Sequence, residues 1–80
     1  MNKRLLHKFM IEFIDHEKYI YFTVYAIDPY EAIKQLQCKK PKVKDLDLIV
    51  VNDLDTDKWY GFQYLQTHKE EIKIKYDLMS

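Results

Sequence analysis

The fold of this chain is decided by residues 19–36, which read YIYFTVYAIDPYEAIKQL. In the first eight residues, tyrosine and threonine alternate with isoleucine, phenylalanine, valine and alanine. A two-residue period of β-branched and aromatic side chains predicts a strand over Tyr19–Ala26. The tyrosines then share one face of that strand, and the aliphatic residues share the other.

A helix is predicted directly after this strand. Asp28 suits the N-cap, Pro29 suits the first helical position, and Glu31 can complete a capping box. We expect this helix to run from Pro29 to about Lys40, where Pro41 prevents its continuation. Strand, corner and helix together form the unit against which the other segments pack.

Four further segments have strand-like alternation, and none contains an internal glycine or proline other than Gly61. They are Lys8–Ile14, Leu46–Val51, Trp59–Leu65 and Glu71–Leu78. A short polar link, residues 15–18, predicts a hairpin between the first two strands, and residues 52–57 are typical of a turn. The expected order is therefore β-β-α-β-β-β.

This order predicts an α+β fold, with a mostly antiparallel sheet and one helix packed on one face. Five strands make a sheet roughly 24 Å wide, whereas one helix covers about 10–12 Å. The helix is therefore too narrow to cover the sheet. The rest of the apolar face must curl on itself, be covered by a terminus or meet another chain, and our hypothesis is that it binds a partner or a second copy.

Length and composition limit the class of protein. Eighty residues allow one domain, 1–80, of which we expect residues 1–7 to fray. No apolar run approaches the roughly 20 residues needed to span a bilayer, and no secretion signal is recognisable. The single cysteine, Cys38, fits a reducing compartment, so we expect a cytoplasmic protein.

The acidic run Asp53, Asp55 and Asp57 has the spacing that begins a calcium loop. Such a loop also needs Gly at its sixth position and Glu at its twelfth, where this chain has Lys58 and Tyr64. We therefore predict no metal site. The three carboxylates are interpreted as a solvated turn that can meet a basic protein surface.

Catalytic patterns are missing from the sequence. His7, His16 and His68 lack the short paired spacing of zinc ligands, and the one glycine cannot build a phosphate loop. The only serine is Ser80, and no base lies near Cys38 in the sequence. We predict that the chain is not an enzyme and needs no cofactor.

Single-stranded nucleic acid is the alternative ligand. Lysines concentrate at the helix end and in the connector that follows it: Lys34, Lys39, Lys40, Lys42 and Lys44. Tyrosines on an exposed sheet face can stack bases. Against this alternative, 13 basic and 13 acidic residues leave no net charge, whereas such proteins are usually basic.

Protein binding is the preferred hypothesis, because seven Tyr and one Trp are interface-forming residues. Residues 1–44 carry a net charge of +4 and residues 45–80 a net charge of −4, which favours steering or self-association. We expect a homodimer or another protein partner, and no membrane contact. The Lys-, Ile- and Tyr-rich composition suits an AT-rich genome, so a phage- or mobile-element-borne modulator or inhibitor of a host protein is a specific hypothesis. The predicted protein-binding residues are Tyr19, Tyr21, Tyr25, Asp53, Asp55, Asp57 and Trp59.

Overall fold

The computed structural model of this chain describes residues 5–79. Its elements are β1 (His7–Asp15), β2 (Lys18–Ala26), α1 (Pro29–Lys39), a 3-10 turn (Asp45–Asp47), β3 (Leu48–Asp53), β4 (Lys58–Gly61), α2 (Phe62–Thr67) and α3 (Lys69–Leu78). The four strands form one antiparallel sheet with helices beside it, so the predicted α+β class is confirmed.

The sheet has the strand order β2-β1-β3-β4, which leaves β2 and β4 at its edges. β1 and β2 form the predicted hairpin, with Asp15 paired to Lys18. The two residues between them, His16 and Glu17, have φ angles of 50° and 65°. Positive φ at both turn positions is the geometry whose twist matches the flanking strands. The hairpin is therefore tight and its register is fixed.

The two faces of the sheet differ in what covers them. On β1, Phe9, Ile11 and Phe13 are almost completely buried, and the three helices pack on the face to which these residues belong. We call this the inner face. The opposite, outer face carries no helix within residues 5–79. Residues 5–79 therefore form two layers, a sheet and the helices on its inner face.

Helix α1 forms as the sequence predicts. The Asp28 side chain accepts a hydrogen bond from the Glu31 backbone N–H at 2.8 Å, which caps the first turn. Ala32, Ile33 and Leu36 then pack into the core at helical spacing. No helix within residues 5–79 is long and apolar enough to cross a membrane.

The sequence prediction of a frayed segment at residues 1–7 overlaps the start of β1. Residues 1–4 of that segment lie outside the described residues. β1 begins at His7, however, and His7 is only 8% exposed. A buried ring with a hydrogen-bond partner keeps this part of the chain ordered.

The C-terminal third also differs from prediction. The predicted strand Trp59–Leu65 ends at Gly61, and the predicted edge strand Glu71–Leu78 is helix α3 instead. Ile72 is 3% exposed and Ile74 is 57% exposed, so alternate residues do not share a face. The buried positions are Leu65, Ile72 and Tyr76, which fit helical spacing.

This helix predicts unequal effects of two similar truncations. Ile72→Ala should lower the free energy of unfolding by about 2–5 kcal/mol, because it opens a cavity in the core. Ile74→Ala should change the free energy of unfolding by less than about 0.5 kcal/mol, because its side chain is exposed. Urea unfolding followed by circular dichroism measures both values. Equal losses would indicate a strand with both side chains on one face.

Candidate functional site

The outer face is assembled from alternate residues of all four strands. Directly paired residues of an antiparallel sheet point to the same face, so the register identifies the members. One row across the sheet contains Thr23, Met10, Asn52 and Trp59. The next row contains Tyr21, Glu12, Val50 and Gly61. Tyr25, Lys8, Tyr19 and Ile14 complete the face at its two ends.

Aromatic side chains dominate this surface. Tyr19, Tyr21, Tyr25 and Trp59 are each between 58% and 65% exposed. The tyrosines lie on edge strand β2 and the tryptophan lies on edge strand β4, so the rings flank the face from both sides. About 14 Å, three strand spacings, separates the two edges. The structure thus brings together the four aromatic residues that the sequence singles out.

The charge of the outer face is nearly balanced. Its charged side chains within residues 5–79 are Lys8 and Glu12. Tyr21 and Glu12 are directly paired on β2 and β1, and interaction with the Glu12 carboxylate raises the pKa of Tyr21. Glu12 and Tyr21 are thus in contact across β1 and β2. Within residues 5–79 no lysine, arginine or histidine forms an ion pair with Glu12.

Asn52 is an unusual residue at the centre of this surface. Its side chain is 4% exposed, and its Oδ1 has no hydrogen-bond partner among the described residues. Met10 and Trp59 are its neighbours in the same row. A buried acceptor without a donor costs free energy, and such atoms are uncommon in folded proteins. No local pattern indicated this residue, because Asn52 was predicted to begin a turn.

The acidic turn is divided by the structure. Asp55 and Asp57 are exposed, but Asp53 is 0% exposed. Asp53 is paired with Phe9, so its side chain belongs to the inner face. The predicted role of the three carboxylates in protein binding stays a prediction for Asp55 and Asp57. A direct contact between a partner and Asp53 requires the interior to open.

Asp53 is the centre of a buried hydrogen-bond network. Its Oδ2 accepts bonds from His7 Nδ1 at 2.9 Å and from the Tyr76 hydroxyl at 2.7 Å. Its Oδ1 accepts bonds from the backbone N–H groups of Asp55 and Thr56 at 3.0 and 3.2 Å. An ionised carboxylate only accepts, so the proton of the His7 bond lies on Nδ1. The network joins β1, the β3–β4 turn and α3.

Two opposing effects set the protonation of Asp53. Burial alone raises its pKa, but hydrogen bonds from Tyr76 and Thr56, helped by His7, lower it further than burial raises it. The net shift is downward, so the carboxylate is ionised at neutral pH. The charge is stabilised because four donors replace the water that burial removes.

The same cluster has to be considered as a metal site. Ligand atoms of His7, Asp53 and Asp55 all lie within 4.8 Å of one another. The four lone-pair positions of the Asp53 carboxylate, however, already accept four hydrogen bonds. His7 also directs Nδ1 at Asp53, where it acts as a donor. These contacts favour a structural network over a metal centre.

The remaining candidate groups are not among the strand residues that form the outer face. The lysines of the nucleic-acid hypothesis are exposed on α1 and in the connector after it, and α1 packs on the inner face: Lys34, Lys39, Lys40, Lys42 and Lys44. Cys38 lies in a cleft of about 600 Å³ between α1 and α2. His16 is in the hairpin turn, and His68 is between α2 and α3. Lys40 and Lys42 line a cleft with Ile14 at one end of the outer face, but no lysine of the cluster belongs to the strands that carry the exposed rings.

The Asp53 network predicts a specific dependence of stability on pH. Asp53→Asn should lower the free energy of unfolding at pH 7 by about 2–4 kcal/mol, because an amide cannot accept all four bonds. A lowered pKa in the folded state stabilises the protein above the ordinary carboxyl value of 3.8. That contribution is lost as the pH falls through the lower pKa of the folded state. The difference in the free energy of unfolding between the wild type and Asp53→Asn should therefore become smaller as the pH is lowered.

Urea unfolding measured from pH 7 down to about pH 3 tests this dependence. The control is Asp57→Asn in the same turn, because Asp57 is exposed and its φ of 57° is a conformation that asparagine tolerates. This variant should follow the wild type at each pH. A constant difference between wild type and Asp53→Asn over the acidic range would contradict the assignment.

Comparison with known proteins identifies no function, so any functional conclusion has to be drawn from the residues of this chain. No protein-family profile, no curated protein and no solved structure matches the chain. The features available for a functional conclusion are therefore the outer face, its exposed rings and the unpaired oxygen of Asn52.

Proposed function

We propose that this chain is a small, non-enzymatic protein-binding module that docks onto another protein through the outer face of its sheet. The observation that carries the proposal is the grouping of Tyr19, Tyr21, Tyr25 and Trp59 on one uncovered surface. Tyrosine and tryptophan are enriched at protein interfaces, because they bury a large area at a small cost in side-chain entropy.

The size of the aromatic surface supports this role. A fully buried aromatic ring removes about 150–250 Å² from water, so four rings exposed by more than half offer on the order of 400–500 Å². That area is comparable to the largest apolar patch on a typical monomeric protein, which is often functional. It is also about half of what one partner buries in a standard interface. Met10, Ile14 and Val50 on the same face extend it.

The charge distribution favours a protein over nucleic acid. A surface that follows a phosphate backbone needs several cations near the stacking rings. Within residues 5–79 the outer face has one lysine, Lys8, and one carboxylate, Glu12, whereas the lysine cluster belongs to α1 and the connector after it. An aromatic surface without net charge is better matched to another protein.

The buried network supports the non-enzymatic part of the proposal. His7 and Asp53 form a pair of the kind that can serve as a general base. His7 packs against the rings of Phe9 and Tyr76, and both members of the pair are buried. These contacts suit a structural role, because a general base has to reach a substrate.

A host protein in the cytoplasm is the first class of target to test, as the composition of the chain suggests. Affinity capture from a lysate of the source organism or its host, with and without nuclease, isolates the partner, and titration calorimetry then measures the affinity. Tyr21→Thr and Trp59→Thr should each weaken binding at least about tenfold, because truncated interface anchors typically cost more than about 1.4 kcal/mol. Threonine keeps the strand propensity of both positions.

The matched control is Leu46→Thr. Leu46 is 95% exposed in the 3-10 turn, outside the outer face, so its truncation should leave the affinity unchanged. A partner that binds both outer-face variants as tightly as the wild type would disprove docking through this face. A second copy of the chain could also bind to the outer face. Light scattering of the free protein therefore measures its molar mass before capture and shows whether the chain self-associates.

The nucleic-acid alternative gives the opposite result in a second experiment. The variant combines Lys39→Glu, Lys40→Glu, Lys42→Glu and Lys44→Glu. We expect it to keep its affinity for the protein partner within about twofold, since exposed charges outside an interface contribute little. Fluorescence anisotropy with a labelled single-stranded oligonucleotide should show no saturable binding to the wild type. Saturable binding that this variant abolishes would favour nucleic acid as the ligand.

A further inference from the structure

Two hydrogen-bond acceptors lie close together near the centre of the outer face, and neither has a cationic partner. Glu12 Oε atoms form no ion pair within residues 5–79, and Asn52 Oδ1 has no donor there. Met10 is paired with Asn52, and Glu12 is paired with Val50, so Glu12 and Asn52 are diagonal neighbours on β1 and β3. Diagonal neighbours are about 7–8 Å apart, within reach of one bridging group.

Met10, Asn52, Glu12 and Val50 form a square on β1 and β3, and its other diagonal, Met10 to Val50, is apolar. Met10 and Val50 lie between the two acceptors, and both are partly buried. A ligand that fits this square needs an apolar stem along Met10 and Val50 and several donors at its end. Among protein side chains, arginine has these properties, with a three-carbon stem and five N–H donors in a planar fork.

A gap in the outer face lies beside this square. Gly61 is paired with Val50, and a Cβ placed on Gly61 would meet nothing within 4 Å. Its φ of −62° is accessible to any residue, so the backbone does not require glycine here. The chain's only glycine thus leaves an open space next to Val50 on edge strand β4.

Aromatic rings border the same region. Trp59 precedes Gly61 by two residues on β4, and Tyr21 contacts Glu12 from β2. The faces of aromatic rings carry partial negative charge and attract a guanidinium group, most strongly in the case of tryptophan. Rings, carboxylate and amide oxygen all favour a cation, and none of them favours an anion.

We propose that the outer face receives an arginine side chain of the partner protein, which enters over Gly61, stacks on Trp59 and donates hydrogen bonds to Glu12 and Asn52 Oδ1. The inference rests on the proposed function, because it specifies what the docked protein presents. Asn52 is 4% exposed in the free protein, so the proposed contact requires that its row neighbour Trp59, on an edge strand and more than half exposed, rotate aside when the arginine enters.

The test uses two tripeptides as probes, Ac-Gly-Arg-Gly-NH2 and the same peptide with citrulline. Citrulline keeps the shape of arginine but lacks its charge. In two-dimensional 1H–15N spectra of the full chain, arginine should shift the indole N–H of Trp59 and the side-chain amide of Asn52. We expect the dissociation constant of the arginine peptide to be at least about tenfold lower than that of the citrulline peptide, because only arginine makes the cation–π contact and charge-assisted hydrogen bonds.

Three variants separate this site from a general effect on folding. Glu12→Gln is isosteric and should remove the preference for arginine over citrulline. Asn52→Leu should do the same while raising the urea midpoint, because it removes an unpaired buried acceptor. Gly61→Leu fills the gap and should weaken arginine binding, and its Cβ meets no other atom. Leu46→Thr is the control and should keep the preference.

The outcomes distinguish this inference from the function on which it rests. Equal affinity for arginine and citrulline, or a preference that Glu12→Gln leaves intact, would overturn the arginine site. Capture of the protein partner that still depends on Tyr21 and Trp59 would then leave the docking proposal standing. Capture that is independent of Tyr21 and Trp59 would remove the docking proposal itself, whatever the tripeptides show.

Discussion

The carboxylate of Asp53 joins parts of the chain that have no covalent reason to meet. It accepts hydrogen bonds from His7 at the start of β1, from Tyr76 on the last helix and from the turn after β3. A buried charge requires such donors, so every arrangement that leaves Asp53 in the interior must bring these groups to it. Tyr76 in turn packs against Phe9, and its hydroxyl, which donates to Asp53, accepts a hydrogen bond from the Tyr60 hydroxyl, which places α3 over the sheet.

Together with α1 and α2, the position of α3 determines which face of the sheet stays uncovered within residues 5–79. All three helices lie on the inner face, where α1 contacts β1 and β2 and α2 contacts β3 and β4. The Tyr30 hydroxyl donates to the backbone carbonyl of Leu65 and ties α1 to α2. No element of residues 5–79 is left to cover the outer face. A single strand such as β2 thus supplies aliphatic residues to the core on one side and tyrosines to the surface on the other.

The sequence predicted well where one local pattern was decisive. Residues 19–36 gave a strand and a capped helix because alternation and capping chemistry agreed. In α3 the local pattern was misleading, because the alternation of Ile72, Ile74, Tyr76 and Leu78 is typical of a strand. Only the packing of Ile72 and Tyr76 in the core with Leu65 and Tyr60 favours a helix. The aromatic face was predictable from periodicity, but its Asn52 and Gly61 were not. Their significance depends on register across β1, β3 and β4, which no local pattern contains.

The long free edge of β2 has a consequence for the behaviour of the protein at high concentration. Residues 19–27 contain no charge, glycine or proline, and the Gln35 side chain occupies the carbonyl of Tyr25 at that edge. An uncharged edge strand rich in aromatic and β-branched residues has the composition of fibril-forming segments. The hairpin that organises the fold is therefore also the segment through which partly unfolded molecules would polymerise. A bound partner that shields β2 would prevent this polymerisation.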